Sequence, residues 1–251
     1  MEIKREFVTT RVSDGTAMRL YAARPVGSVA ARGLLVMQEA FGVNAHIRDI
    51  TERFAREGFL AVAPELYHRT GAGFEGRYDD FPSAMPHLMA LSDASLEADF
   101  RAAYDWLRAN GVASGSPIAA VGFCMGGRAA VLAAITLPLE CAVSFYGGGI
   151  APNPMNPGFL NRIKDLKAPV LLFWGARDQH ITPDQRAAVA DGLKAAGKSY
   201  VIVEFSEGDH GFFCDARPSY NPVAAAQAWP LTLAFLNTYT AAQEQRASAR
   251  S

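Results

Sequence analysis

Cys124 lies at the centre of Gly122-Phe123-Cys124-Met125-Gly126, between a short apolar run (Ile118 to Val121) and a small-residue helical stretch from Gly127 to Thr136. Strand, Gly-x-nucleophile-x-Gly, helix is the pattern of a nucleophile elbow, with cysteine where serine is usual. Such a turn forces the central residue into a strained backbone conformation and draws neighbouring backbone close. A side chain two positions to either side would clash. The sulfur is then held above a sheet at a helix N-terminus, where exposed N–H groups and the helix dipole favour an anion. A free thiol ionises at a pKa of about 8.5, and helix N-termini lower that value as a class. The plainer alternative for Cys124 is a small buried hydrophobe.

A cysteine nucleophile needs a base to take its proton and a third group to orient that base. Among five histidines, His210 is best placed. It lies in Ser206-Glu207-Gly208-Asp209-His210-Gly211-Phe212, directly after the last expected strand, where a Gly-flanked loop reaches back over the elbow. Hydrolases with such an elbow run nucleophile, acid, histidine along the chain, and Asp178 satisfies that order. It closes Leu171-Leu172-Phe173-Trp174-Gly175-Ala176-Arg177-Asp178, a strand that runs into a Gly turn. An ordinary loop or capping aspartate is the alternative. Asp184 reads as a first-turn helix residue and Asp209 as a turn-shaping one. His46 falls at a helix start near the expected site, His68 and His87 in the middle of the chain, and His180 at the surface. No pair of histidines has metal-ligand spacing with a third donor, so neither a metal nor a cofactor is expected.

These residues need a scaffold, and the hydrophobic pattern supplies one. Glu2 to Val12 and Met18 to Ala23 read as an opening hairpin around Ser13-Asp14-Gly15. Gly33 to Gln38 is a continuous apolar run, as in a strand buried on both faces of a parallel sheet. His46 to Glu57 follows with Ile47, Ile50 and Phe54 at helical spacing. Phe59 to Ala63 is a strand stopped by Pro64, and Leu96 to Asn110 is helical. Ile118 to Val121, Ala142 to Tyr146, Val170 to Trp174 and Tyr200 to Phe205 continue the strands. Thr182-Pro183-Asp184-Gln185 opens a helix with Thr as N-cap and Pro at its first position, and Pro222 to Thr240 closes the chain with Pro230 inside it. Strand and helix alternating this often predict an α/β fold with a mostly parallel, doubly wound sheet. Sites in such sheets lie beyond the carboxyl ends of the strands, where the candidate motifs fall.

The chain has 251 residues, half of them hydrophobic, with a formal net charge of −1. That suits a single α/β domain, set at residues 1–241, with 242–251 as a frayed tail. Near-neutral, interspersed charge argues against nucleic acid or an anionic membrane as partner. No apolar h-region opens the chain and no run of about 18 apolar residues exists to span a bilayer. Three cysteines (Cys124, Cys141, Cys214) are odd in number and widely spaced, so they do not form a disulfide framework. A reducing cytoplasm is the expectation, with a small molecule as partner and a monomer or weak homodimer as the assembly.

With elbow, acid and base in this order, the chain closely resembles the dienelactone hydrolase family of the α/β-hydrolases. The match includes Gly122-Phe123-Cys124-Met125-Gly126-Gly127, the Trp174-Gly175-x-x-Asp178 turn and Asp209-His210-Gly211-Phe212. It extends to Gln38-Glu39-Ala40-Phe41-Gly42, Ile47-Arg48-Asp49 and Gly58-Phe59-Leu60-Ala61-Val62-Ala63-Pro64-Glu65-Leu66-Tyr67. The resemblance implies a single-domain carboxylic-ester hydrolase with a Cys124–His210–Asp178 triad acting through an acyl-cysteine. Glu39 would hold the resting thiol and change partner when substrate arrives; a salt bridge to Arg48 or another nearby arginine is its plainer alternative. The backbone N–H groups of Ala40 and Met125 would occupy the two oxyanion-hole positions.

Departures from the family concern the substrate. Chlorocatechol-pathway members bind the substrate carboxylate with arginines, one of them four residues after the histidine; Cys214 stands there in this chain. Arg217, three residues later, either compensates or is plain surface. Phe41, Arg77 and Tyr78 are the other candidate substrate contacts, and residues 69–91 a candidate cap. The leading expectation is hydrolysis of a dienelactone-type enol lactone or a similar small activated ester. A general carboxylesterase or thioesterase without a catechol-pathway role, or a non-catalytic binding protein on the same fold, are the alternatives.

Overall fold

Apolar continuity dictates the middle of the molecule. In the computed structural model, which describes residues 1–27, 32–154 and 156–241, β3 (Arg32–Met37), β4 (Phe59–Pro64), β5 (Ile118–Phe123), β6 (Ala142–Phe145) and β7 (Val170–Gly175) are buried almost without interruption. Such strands are covered on both faces, as parallel sheets must be. The expected tail at 242–251 lies outside the described residues.

Eight strands form one sheet in the order β1-β2-β4-β3-β5-β6-β7-β8. β1 (Ile3–Arg11) and β2 (Ala17–Pro25) join it antiparallel, and the other strands, ending with β8 (Tyr200–Phe205), run parallel. The edges read differently from the centre: β1 and β8 alternate between exposed and half-buried positions. From β3 the chain steps to β4 on one side and then to β5 on the other. The crevice beyond the carboxyl ends of β3 and β5 is therefore the topological switch point, where ligands bind in open α/β sheets.

Helices α1 (Ala45–Arg56), α4 (Asp93–Ala109), α5 (Met125–Thr136), α6 (Pro183–Ala195) and α7 (Pro222–Thr240) flank this sheet. The side chain of Asn44 caps α1 by accepting from the Ile47 amide at 3.2 Å. Thr182 caps α6 in a reciprocal capping box with Gln185, which satisfies two otherwise orphaned N–H groups. Under the strand ends the core is aromatic: Phe145 lies between Phe123 (centroids 4.7 Å apart) and Phe173 (4.6 Å).

In the middle passage the chain forms a short turn α2 (His68–Gly71) and the helix α3 (Phe81–Met89). Pro82 and Pro86 lower helix propensity there and hide α3 from periodicity; Asp80 caps it, and Pro82 lies in the first turn, where proline is tolerated.

Candidate active site

The elbow carries the backbone strain its sequence implies. Cys124 has φ 57° and ψ −121° and is the N-cap of α5. A Cβ at Gly126 would come within 2.4 Å of the Met37 and Gln38 carbonyl oxygens, so only glycine lets the start of α5 lie against the end of β3. This close approach brings the Glu39 turn beside Cys124. Met125 is the first residue of α5, and N–H groups there have no intrahelical partner.

β7 and β8 place the next two groups. The amide of Arg177 donates to the Gly208 carbonyl at 2.9 Å, tying the turn after β7 to the loop after β8. Asp178 Oδ2 then lies 2.8 Å from His210 Nδ1. Its other oxygen accepts from the amides of His180 at 2.7 Å and Ile181 at 3.2 Å. Burial opposes the charge on this carboxylate, yet the bonds from His210 and the backbone hold its pKa below the ordinary value. With Nδ1 taken by Asp178, Nε2 is the ring nitrogen left free, and Cys124 lies close enough to act on the ring electrostatically. Burial also works against a charged His210 ring. Cys124 and then Asp178 overcome burial and raise the ring to about 10. Asp178 and His210 are thus in direct contact, and Cys124 at the elbow is partly exposed.

Glu39 is completely buried at the end of β3. Its expected alternative partner, Arg48, instead pairs with Glu75 at 2.6 Å. Arg217 takes that place, with Nη1 3.3 Å from Glu39 Oε1, and the Tyr146 hydroxyl donates to the same oxygen at 3.4 Å. Oε2 has no partner. The Arg217 guanidinium carbon also sits 5.7 Å from the ring centroids of both Phe41 and Tyr78. Those two rings meet edge to face at 4.7 Å, and together with Arg217 they wall the site. Arg77 is not brought into this group: its side chain is exposed and closed on Asp79 through two bonds of 2.9 and 2.6 Å.

The wall is stitched to the Glu39 turn. Gly42 forms bridges with Glu39 and Glu75, and the Gly76 amide donates to the Phe41 carbonyl at 3.0 Å. At φ +80°, a Cβ on Gly42 would meet the Phe74 carbonyl oxygen at 2.0 Å, so glycine alone permits this seam. The Gly42 amide donates to the Glu39 carbonyl at 3.3 Å, fixing the peptide that carries the other candidate oxyanion amide, Ala40 N–H. The Tyr67 hydroxyl holds the next peptide by donating to the Ala40 carbonyl at 3.1 Å.

Tyr146 escaped sequence reasoning. It follows β6 with φ 40°, is wholly buried and has its ring 5.2 Å from that of His210. Burial first, then the neighbouring Glu39 charge, raise its phenol well above the ordinary value, so it stays a hydrogen-bond donor. A hydroxyl-bearing aromatic at the carboxyl end of a buried strand was the available signal. His46, read as a helix-start residue, is buried, and its Nε2 has no partner. Glu39, His46 and Cys214 each offer a ligand atom, all within 4.8 Å of one another. Linear spacing does not reveal this convergence, because each residue comes from a different element.

A mostly parallel eight-stranded sheet with a strained elbow after β5 and an acid and a histidine after β7 and β8 is the architecture of an α/β-hydrolase. A profile of the dienelactone hydrolase family matches residues 18–240, and the chain belongs to that family. Proteins assigned as carboxymethylenebutenolidases share 35% identity with it, one from Synechocystis over 83% of this chain and 87% of its own, another from Salmonella typhimurium over 92% and 87%. The crystal structure of a protein from Klebsiella pneumoniae assigned as a dienelactone hydrolase superposes with a TM-score of 0.86 at 33% identity, covering 95% of this chain and 100% of the other. The protein is thus a hydrolase of the dienelactone hydrolase kind. No helix among the described residues is long and apolar enough to cross a membrane.

Proposed function

We propose that this hydrolase opens a small enol lactone of the dienelactone type, or an equally activated ester, through an acyl-cysteine on Cys124. The observation that carries the reading is His210 Nδ1 2.8 Å from Asp178 Oδ2, with the strained Cys124 elbow close enough to act on the same ring. An imidazolium beside sulfur holds it as thiolate, which attacks without a proton having to be removed in the same step. The sulfur bonds to the carbonyl carbon, and the oxyanion is received by the Ala40 and Met125 amides. As the carbonyl re-forms, the ring C–O bond breaks and the electron pair leaves as an enolate. Acylation removes the thiolate charge that raises His210, and the ring, having given up its proton to the product, becomes a base. His210 then takes a proton from water, the hydroxide cleaves the thioester, and Cys124 leaves as thiolate.

The buried Glu39 carboxylate holds Arg217 against the aromatic wall of Phe41 and Tyr78. A substrate carboxylate competes for that guanidinium and frees Glu39 towards the thiol. Quenched reactions with dienelactone test the proposal: mass spectrometry should find the acyl adduct on the Cys124 peptide, and turnover that persists in Cys124→Ala would overturn it.

One observation favours a second reading, a carboxylesterase or thioesterase without a role in catechol breakdown. Arg217 is already neutralised by Glu39 and Arg77 by Asp79, which leaves less positive charge for an anionic substrate. A p-nitrophenyl ester panel beside dienelactone separates the two, since rapid ester cleavage with negligible dienelactone turnover selects the second.

A further inference from the structure

We propose that Glu39, His46 and Cys214 form a binding site for a divalent cation of the zinc class. Their ligand atoms lie within 4.8 Å of one another and all three side chains are buried. Glu39 Oε2 and His46 Nε2 are buried with no hydrogen-bond partner. Unpartnered polar atoms are costly in a protein interior, and here they converge with a thiol instead of scattering. One oxygen, one nitrogen and one sulfur is a donor set suited to zinc, whose tetrahedral ligands stand about 3.5 Å apart.

The surroundings are those of a ligating histidine. His46 Nδ1 lies 3.9 Å from Asp215 Oδ1. A carboxylate on the far nitrogen is the usual outer partner of such a ring, fixing which nitrogen meets the metal. His46 also lines a cavity of about 230 Å³, whose walls include Asp49, Arg53 and Asp215. This cavity gives a cation a route in beside carboxylates. Binding leaves the charge balanced by releasing one proton, from the Cys214 thiol, to solvent. Water completes the fourth position. The site shares Glu39 with the proposed reaction but not Cys124, so Cys124→Ala tests it apart from the acyl-cysteine reading.

Zinc titration of the chelator-stripped protein against a chromophoric chelator, 4-(2-pyridylazo)resorcinol, tests the proposal. Cys124→Ala should retain one competed zinc per chain with release of about one proton, and His46→Gln or Cys214→Ser in that background should weaken it about tenfold or more. In Cys124→Ala/Cys141→Ala, Cys214 is the one remaining thiol; cobalt should give a sulfur-to-metal charge-transfer band there, a readout that survives if the buried-site variants fold poorly. Loss of the tight site in Cys124→Ala, indifference to both substitutions, or no cobalt–thiolate band would overturn it.

Discussion

Arg217 Nη1 stands 3.3 Å from Glu39 Oε1, a contact that joins the loop after β8 to the turn after β3 across 178 residues of sequence. Glu39 is wholly enclosed and the Arg217 side chain is only 17% exposed. The charge pair therefore sits where water screens it poorly, and each partner depends on the other.

Removing one member of such a pair leaves an uncompensated buried charge. Arg217→Ala is expected to lower unfolding free energy by about 3 kcal/mol, measured by urea denaturation. Glu39→Gln in the same background should recover much of that loss. With substrates, Arg217→Ala should raise KM for a carboxylate-bearing lactone more than for a neutral p-nitrophenyl ester.

His210 owes its raised position, about 10, to Cys124 and Asp178 acting against burial. Cys124→Ala removes the influence of the sulfur on the ring, so the ring should titrate at clearly lower pH. An NMR titration of the His210 imidazole reads this directly; an unchanged value would show that sulfur carries no negative charge beside the ring.

The same pair sets a pH window for stability. His210 is raised from 6.5 in the folded state, so its contribution is complete below that value and is lost as pH rises through about 10. Asp178 is lowered from 3.8, so its contribution is complete above that value and is lost as pH falls through the lower one. The pair should add most between about pH 4 and pH 6.5. Melting temperatures of the parent and His210→Gln across that range should differ most inside it.

Asp178→Asn keeps the shape of the side chain but presents an amide to the ring and disturbs the tautomer. Turnover should fall by about three to four orders of magnitude, while the melting temperature moves far less than the rate. Steady-state kinetics with circular dichroism on the same preparation decide it.

Gly126→Ala tests the contact between elbow and β3. With the Met37 and Gln38 oxygens 2.4 Å from the new Cβ, backbone must shift, and a destabilisation of about 3 kcal/mol is expected. Thermal unfolding measures it, and loss of activity should accompany it because α5 carries Met125.

The central strands were legible because burial on both faces leaves unbroken apolar runs, and Gly33 to Gln38 or Val170 to Trp174 have no other reading as short. The elbow was legible for a different reason: the backbone approach at Gly126 excludes other residues. Less could be read where geometry depends on distant chain. Glu39 offered Arg48 as a neighbour nine residues away, but the turn sends Arg48 to Glu75 and brings Arg217 in from the loop after β8. Arg77 was a plausible cation by type and region, yet Asp79 two residues later holds its guanidinium at the surface. Tyr146 looked like the end of a strand, and only the folded chain shows its hydroxyl at Glu39. His46 and Cys214 carried no joint signature at all, since 168 positions separate them in the sequence.

The seam at Gly42 joins two tasks. The peptide that offers Ala40 and the aromatic panel of Phe41 and Tyr78 are laced into a single rigid patch, so a ligand leaning on the rings also tilts that N–H. Snugness of fit and quickness of reaction would then rise and fall together at this corner, and a mutation widening the panel for bulkier esters should blunt the chemistry as well.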